Sequence, residues 1–285
     1  MSSTILSGVR NMDYGVVLPN KNSLPSEIVV KCNDFIRSRL MIKNVLSGRI
    51  LAVASSTVRI DDADFYTYSI SVSHFFSDNN LSGDRYNQLK QSIKELSGGR
   101  LERKISKNNY AYYALFSKIS YNNGFIEMSF HPDLKPFFID LKVHFTQYNL
   151  MDFLSLPSTY SQRIFEILKS WANLPEIIIT VDELQSILDV PTSFLRDFSN
   201  FRYRVLDKAY KDINEKTNLK YEWEAIKTKN KVTAIRFIFS QQNRMIAQKA
   251  TIQKLTDKFI SEQARPGETW EEARNRLSNK NQTLF

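Results

Sequence analysis

The 285-residue sequence holds one cysteine, Cys32, three histidines and eight glycines. A single cysteine excludes an internal disulfide and a cysteine-rich zinc site, and it fits a reducing compartment. His74, His131 and His144 are isolated from one another. They form no His-x-His pair of the kind a metal-dependent nicking enzyme uses, and there is no His-Glu-x-x-His helix. No Gly-x-x-x-x-Gly-Lys-Ser/Thr loop is present to cradle ATP phosphates, and Gly98-Gly99 is too little glycine to replace one. No segment approaches the roughly 18 apolar residues that a membrane span needs. The opening MSSTILSGVRNMDYG lacks the apolar run of a signal peptide. Asp61, Asp62 and Asp64 cluster, but without matching acids elsewhere they read as a loop. Tyrosines are plentiful, yet no Arg and His cluster flanks a particular one as it would a nucleophile. The expectation is a cytoplasmic, non-enzymatic protein with no membrane span, no metal and no cofactor.

What is present is apolar substance and positive charge. Hydrophobic residues make up 42% and aromatics 12%, enough for packed cores, and the length suits two domains. The net charge of +9 points to an anionic partner, either nucleic acid or an acidic membrane surface. Position has to decide between these and a merely basic soluble protein.

Along the chain, Asn33 is placed to cap a helix over DFIRSRLMIKNVLSGRI, although its apolar stripe is imperfect. TYSISVSHF alternates as a strand. Ser82 is placed to cap the helix GDRYNQLKQSIKEL, where Tyr86, Leu89, Ile93 and Leu96 share a face. RLERKIS is a short basic strand. YAYYALFSKISY and FIEMSFHP flank Asn122-Asn123-Gly124, a hairpin signal. PDLKPFFIDL and FTQYNLMDFLSL read as short helices. The second half has the same order: the helix YSQRIFEILKSWA opening at Ser158 or Thr159, the strand EIIITV, and VDELQSILD behind a Thr180/Glu183 capping box. VPTSFLRDF, a turn or a short helical piece, a longer helix and the strands LKYEWEAI and VTAIRFIF complete it. Helix, strand, helix, turn, helix, hairpin is the order of a winged helix-turn-helix. The fold expected is α+β, with two such units in tandem over residues 28–155 and 156–240. A polar head (1–27) precedes them, and a tail (241–285) with a last short helix in ARPGETWEEARNRL follows.

The longer helix, SNFRYRVLDKAYKDINEKTN, decides what the charge is for. At 100° per residue, Phe201, Val205, Ala209 and Ile213 fall on one side with Leu206 at its edge. Tyr203, Arg204, Asp207, Tyr210, Lys211 and Asn214 fall on the other, and Arg202 can reach solvent from the first turn. Ser199 or Asn200 is the expected cap. Arg204 suits two hydrogen bonds to guanine, Asn214 and Tyr203 suit added contacts, and Lys208 and Lys211 suit phosphates. Lys227, Lys229 and Lys231 cluster at the following turn. Between Ser199 and Ser240, ten basic residues face five acidic ones, over half the chain's excess in 42 residues. In the first half, Arg85, Lys90 and Lys94 decorate the second helix. They suit either accessory contacts to DNA phosphates or a solubilising surface beside a protein interface.

YSQRIFEILKSW, followed by ITVDELQSILDVPTSFLRDFSNFRYRVLDKAYKDINEKTNLKYEWEAIKTKNKVTAIRFIF, resembles the plasmid replication initiators of the iteron-binding Rep_3 family. The resemblance extends over about residues 28 to 240. It implies two winged-helix domains, the second binding direct repeats in a plasmid origin and the first mediating dimerisation and added backbone contacts. It further implies a monomer that initiates, a dimer that represses its own synthesis, and host initiator and replicative helicase as partners. The family's base-reading helix matches NFRYRVLDKAYKDIN, which carries contact roles to Arg202, Arg204 and Lys208 and wing roles to Lys229 and Lys231. Tyr203 stands where relatives often have a further basic residue. A transcriptional repressor of the same fold and a nicking replication protein are the alternatives. Repeat arrangement separates initiator from repressor, and relaxation of supercoiled origin DNA would mark the enzyme.

Overall fold

The computed structural model describes residues 20–21, 25–59, 62–76, 83–106, 108–139, 141, 144–195 and 197–240. The expected terminal helix in the tail, the Ser82 cap, Asp61 and most of the head lie outside the described residues.

The first unit begins with β1 (Asn20–Lys21), β2 (Ile28–Cys32), α1 (Asn33–Arg37) and β3 (Arg39–Leu40). The single helix expected from Asn33 is in fact two. Ser38 is extended (φ −81°, ψ 159°) and stops α1. Asn44 then caps α2 (Val45–Thr57) by accepting a 2.9 Å hydrogen bond from the Leu46 N–H. Eleven of the thirteen residues of α2 are buried. A helix enclosed on all sides has no polar face, so periodicity cannot mark its limits. The hydroxyls of Ser55, Ser56 and Thr57 enter this interior by donating to carbonyls one turn back.

β4 (Thr67–Ser71), α3 (Gly83–Ser97), β5 (Arg100–Lys104), β6 (Tyr110–Ala114), β7 (Phe116–Asn122) and β8 (Phe125–Phe130) follow. The run YAYYALFSKISY, expected as one strand, is divided at Leu115 between two sheets. Leu115 is fully buried, donates to the Gly99 carbonyl on one side and accepts from His131 N–H on the other. β6 therefore pairs with β5, while β7 pairs with β8. Their sheets run β3-β5-β6 and β1-β4-β8-β7, antiparallel apart from β1 with β4. Asn123 and Gly124, with φ of 45° and 85°, make the tight turn into β8 that the sequence signals.

α4 (Lys135–Phe138), β9 (Phe145–Asn149) and α5 (Leu150–Leu154) close the unit. FTQYN, expected within a helix, is a strand: Thr146 and Tyr148 point inward, and the segment pairs antiparallel with β2. β2 escapes periodicity because one of its inward residues is Lys31.

α6 (Thr159–Lys169) opens at Ser158, whose hydroxyl accepts from Ser161 N–H. All residues from Ser161 to Leu168 are buried. The apolar stripe Ile164, Ile167 and Leu168 is as expected, but the opposite face does not meet water. It meets the first unit. Glu166 accepts from Lys31 Nζ at 2.8 Å and from the Tyr148 hydroxyl at 2.6 Å, both through Oε1. Its Oε2 accepts from Arg163 at 2.8 Å, and Arg163 also donates to the carbonyls of Ile36 and Ser38. α2 approaches α6 so closely that a Cβ on Gly48 would collide with the Gln162 side chain. From its other side, Ser161 donates to Asp212 in the second unit at 2.6 Å. A boundary at 155/156 assigns α6 to the second unit alone, whereas the helix packs on both.

The second unit continues with β10 (Glu176–Thr180), α7 (Val181–Ile187), α8 (Thr192–Leu195) and α9 (Phe198–Phe201). Thr180 accepts from Glu183 N–H as the capping residue expected. A π-helical turn (Arg202–Asp207) leads into α10 (Lys208–Lys216), and β11 (Tyr221–Thr228) and β12 (Lys231–Phe239) form the hairpin. The sheet order is β10-β12-β11, antiparallel throughout. Asp189 adds a surface clasp between the units by pairing with Arg39 and, at 3.5 Å, with Lys43.

Burial opposes the charge on Glu166, but Lys31, Arg163 and the Tyr148 hydroxyl together outweigh it and hold the carboxyl below its usual range. Glu166→Ala leaves two buried cations without a counter-charge and is expected to cost about 3–5 kcal/mol at neutral pH. Because the folded pKa is depressed, the wild-type advantage is complete above the ordinary carboxylate range and is lost as pH falls through the depressed value. Urea unfolding of both proteins across that range checks the magnitude and the sign.

Candidate nucleic-acid interface

The long helix of the second unit starts two to three residues earlier than expected. Asp197, not Ser199 or Asn200, caps it, its carboxylate accepting from the Ser199 N–H at 2.9 Å. An aspartate also suits the positive end of the helix. The departure that matters is the π-helical turn. With i→i+5 spacing this turn is wider than an α-turn. Val205 and Leu206 both reach the core, and three consecutive residues, Arg202, Tyr203 and Arg204, are left exposed. A uniform 100° wheel put Leu206 at the edge; it is fully buried.

Tyr203 is 76% exposed. Arg202 turns toward the hairpin: its Nε lies 3.3 Å from Asp207, and its guanidinium sits over the ring of Trp223 on β11. Arg204 turns toward α8 and lies over the ring of Phe194. Lys208 and Lys211 are exposed further along. Asn214 does not join them. Its amide nitrogen donates to the carbonyls of Tyr210 and Tyr221, and its oxygen accepts from Tyr221 N–H. The residue expected to add a DNA contact is instead spent on fixing helix to hairpin. Tyr210 does the same work, donating its hydroxyl to Glu222; that bond, with burial and the negative charge, raises the pKa of the phenol.

Lys227, Lys229 and Lys231 are exposed around a two-residue turn, with Thr228 opposite Lys231. Lys229 has a φ of 55°, uncommon for any residue but glycine. Most carboxylates of the segment are engaged elsewhere: Asp207 with Arg202, Asp212 with Ser161, Glu222 with Tyr210 and Glu224 with Arg236. Arg204, Lys208, Lys211, Lys227, Lys229 and Lys231 thus carry charge that no carboxylate among the described residues neutralises. Lys220, counted with the basic set, caps the end of α10 by donating to the Asn214 and Thr217 carbonyls.

On α3, Lys90 and Lys94 are exposed and Arg85 lies 6.0 Å over the Phe76 ring. The helix packs through Leu89, Ser92 and Leu96, and Glu95 reaches across to accept from the N–H groups of Lys43 and Asn44 at the start of α2. Tyr86, expected in the apolar stripe, is 44% exposed.

The histidines stay separate. His131 caps a short turn through Asp133 N–H, and His144 holds a left-handed backbone (φ 59°) while its carbonyl accepts from Asn33. Asp64 pairs with Lys135 at 2.7 Å. Among the described residues, no three His, Cys, Asp or Glu side chains converge, and no helix is long and apolar enough to cross a membrane.

Two family models match the chain: the first winged-helix domain (WH1) of the initiator replication proteins over residues 28–169, and their second (WH2) over residues 180–239. The chain belongs to the Rep_3 family of plasmid replication initiators. Its two units are WH1 and WH2, and the WH1 match includes α6. Among solved structures, the Pi initiator protein in complex with iteron DNA aligns with a TM-score of 0.60 at 17% identity, over 77% of this chain and 100% of Pi. That likeness is one of fold. Domains 2–3 of RctB align at a TM-score of 0.35 and 11% identity, over 63% of this chain and 77% of theirs.

In this Rep_3 chain the helix–hairpin joint in WH2 depends on Asn214. Asn214→Ala strands the carbonyl and the N–H of Tyr221, and is expected to lower stability by about 1–3 kcal/mol in urea unfolding.

Proposed function

We propose that this protein initiates plasmid replication by binding double-stranded DNA at directly repeated origin sites. It does so without catalysing a chemical step. What supports the reading is the un-neutralised charge of Arg204, Lys208, Lys211 and the three hairpin lysines on two elements bonded to each other. In winged-helix proteins the second helix enters the major groove, with its first turns at the base edges. The exposed Arg202, Tyr203 and Arg204 occupy those turns, and the hairpin lysines suit the flanking phosphates. Arg85, Lys90 and Lys94 of WH1 supply accessory backbone contacts. Monomers occupy the repeats, bend the DNA and help an adjacent A·T-rich segment to open, so that a host initiator and replicative helicase can enter; the work comes from binding and deformation. A homodimer in equilibrium with the monomer represses the protein's own gene. The reading places the protein in the bacterial cytoplasm.

Footprinting on the DNA beside the gene tests this reading: protection of tandem direct repeats is expected, and protection of one palindrome alone would favour a simple repressor. Arg204→Ala is expected to cost about 1–3 kcal/mol on the correct repeat and much less on random DNA. Lys229→Ala is expected to weaken all sequences alike and to lower the salt slope by roughly one unit. Lys229→Gly is expected to lose the same affinity while relieving the left-handed backbone, worth roughly 1–2 kcal/mol of stability. Gel-shift titrations at several salt concentrations, with thermal unfolding alongside, measure all three.

A further inference from the structure

We propose that Phe194 is the positioning residue for base reading, its ring carrying the Arg204 guanidinium so that the free edge of that group is aimed at one guanine. The inference rests on the assignment of Arg204 to the base-reading surface.

Phe194 lies on α8, in a stretch that reads from sequence as a turn or a short helical piece, and it is half-buried against the core. Arg204 Cζ lies 5.3 Å from the centre of its ring. A guanidinium within about 6 Å of a ring centroid is attracted by the negative face of the ring. Its five N–H donors lie in the plane of the group, and a cation–π contact of this kind need not consume them. Among the described residues no acceptor engages the fork that matches guanine O6 and N7, so the ring contact restrains the group while its donors stay unoccupied. Arg202 is built differently: its Nε faces Asp207 at 3.3 Å, so part of its charge and one of its donors are met before any ligand arrives. The two arginines flank Tyr203 but are anchored to different elements, one to the hairpin through Trp223 and one to α8 through Phe194. Of the two, only Arg204 combines restraint with a full set of free donors. Holding the side chain before binding removes part of the ordering cost at the interface. A cation on an exposed ring contributes enough to change affinity about two- to fivefold.

The test uses the full chain and a duplex carrying one repeat, as defined by footprinting. Each guanine is replaced in turn by 7-deazaguanine, which lacks the N7 acceptor. Wild type is expected to lose affinity at one guanine in particular, and Arg204→Ala to be insensitive there. Phe194→Leu is expected to bind the repeat about two- to fivefold more weakly. It is also expected to show a smaller 7-deazaguanine penalty at that guanine, while its affinity for a random duplex and its salt slope stay at wild-type values. Phe194→Tyr, which keeps the ring, is expected to restore both readouts. Thermal unfolding verifies the fold of each variant, and Phe194→Met replaces Phe194→Leu should the latter fail to fold. Wild-type affinity and penalty in the ring-less variant would overturn the role of Phe194, as would an equal loss on random DNA or failure of tyrosine to rescue. If Arg204→Ala itself discriminates as wild type does, the base-reading assignment fails first, and the two failures are distinguished.

Discussion

Glu166 is enclosed on every side, and its charge is tolerable only because Lys31, Arg163 and the Tyr148 hydroxyl surround it. Those partners come from different parts of the chain. Lys31 belongs to β2, Tyr148 to β9 and Arg163 to α6 itself, and Arg163 in turn takes up the carbonyls of Ile36 and Ser38. A buried ion cluster of this kind offers little net stability over an apolar core, but removing one member is severe. Its effect is therefore geometric. It fixes which turn of α6 lies against the β2–β9 pair, and α6 also forms part of the WH2 core.

The surface that WH2 presents follows from that placement. Ser161, on the far side of α6, bonds Asp212 of α10, and Asn214 and Tyr210 bond α10 to β11. Each bond takes a polar group out of circulation, and in doing so each removes a carboxylate or an amide that would compete for the cations. The exposed positive charge is thus a remainder, left after the acids have been used in construction. Arg37 adds a further tie between the units, stacked on Trp171 and bonded to Ser170 at the end of α6.

α6 and the WH2 elements were legible in the sequence because the helices are amphipathic and the strands alternate. Ile164, Ile167 and Leu168, or Ile235, Phe237 and Phe239, state their inward faces directly. WH1 was harder for three separate reasons. α2 is buried all round and so shows no stripe; Lys31 stands at an inward position of β2 and breaks its alternation; and Leu115 carries one apparent strand from one sheet to another. The basic ridge was legible as composition, since Arg204, Lys208, Lys211 and the hairpin lysines all stand exposed. What each polar residue bonds to was not: Asn214 has the spacing of a surface residue and, half-buried, is tied to the hairpin by two strand groups seven residues away. The wide turn at Arg202–Asp207 leaves no mark on a wheel that assumes a constant angle.

That wide turn bears on how such a protein diverges. A π-turn holds one residue more than the α-turn it replaces, so a single-codon deletion between Arg202 and Asp207 can tighten the helix while Phe201 before it and Ala209 and Ile213 after it keep their seats. Chain length at this one point becomes a heritable variable alongside residue identity.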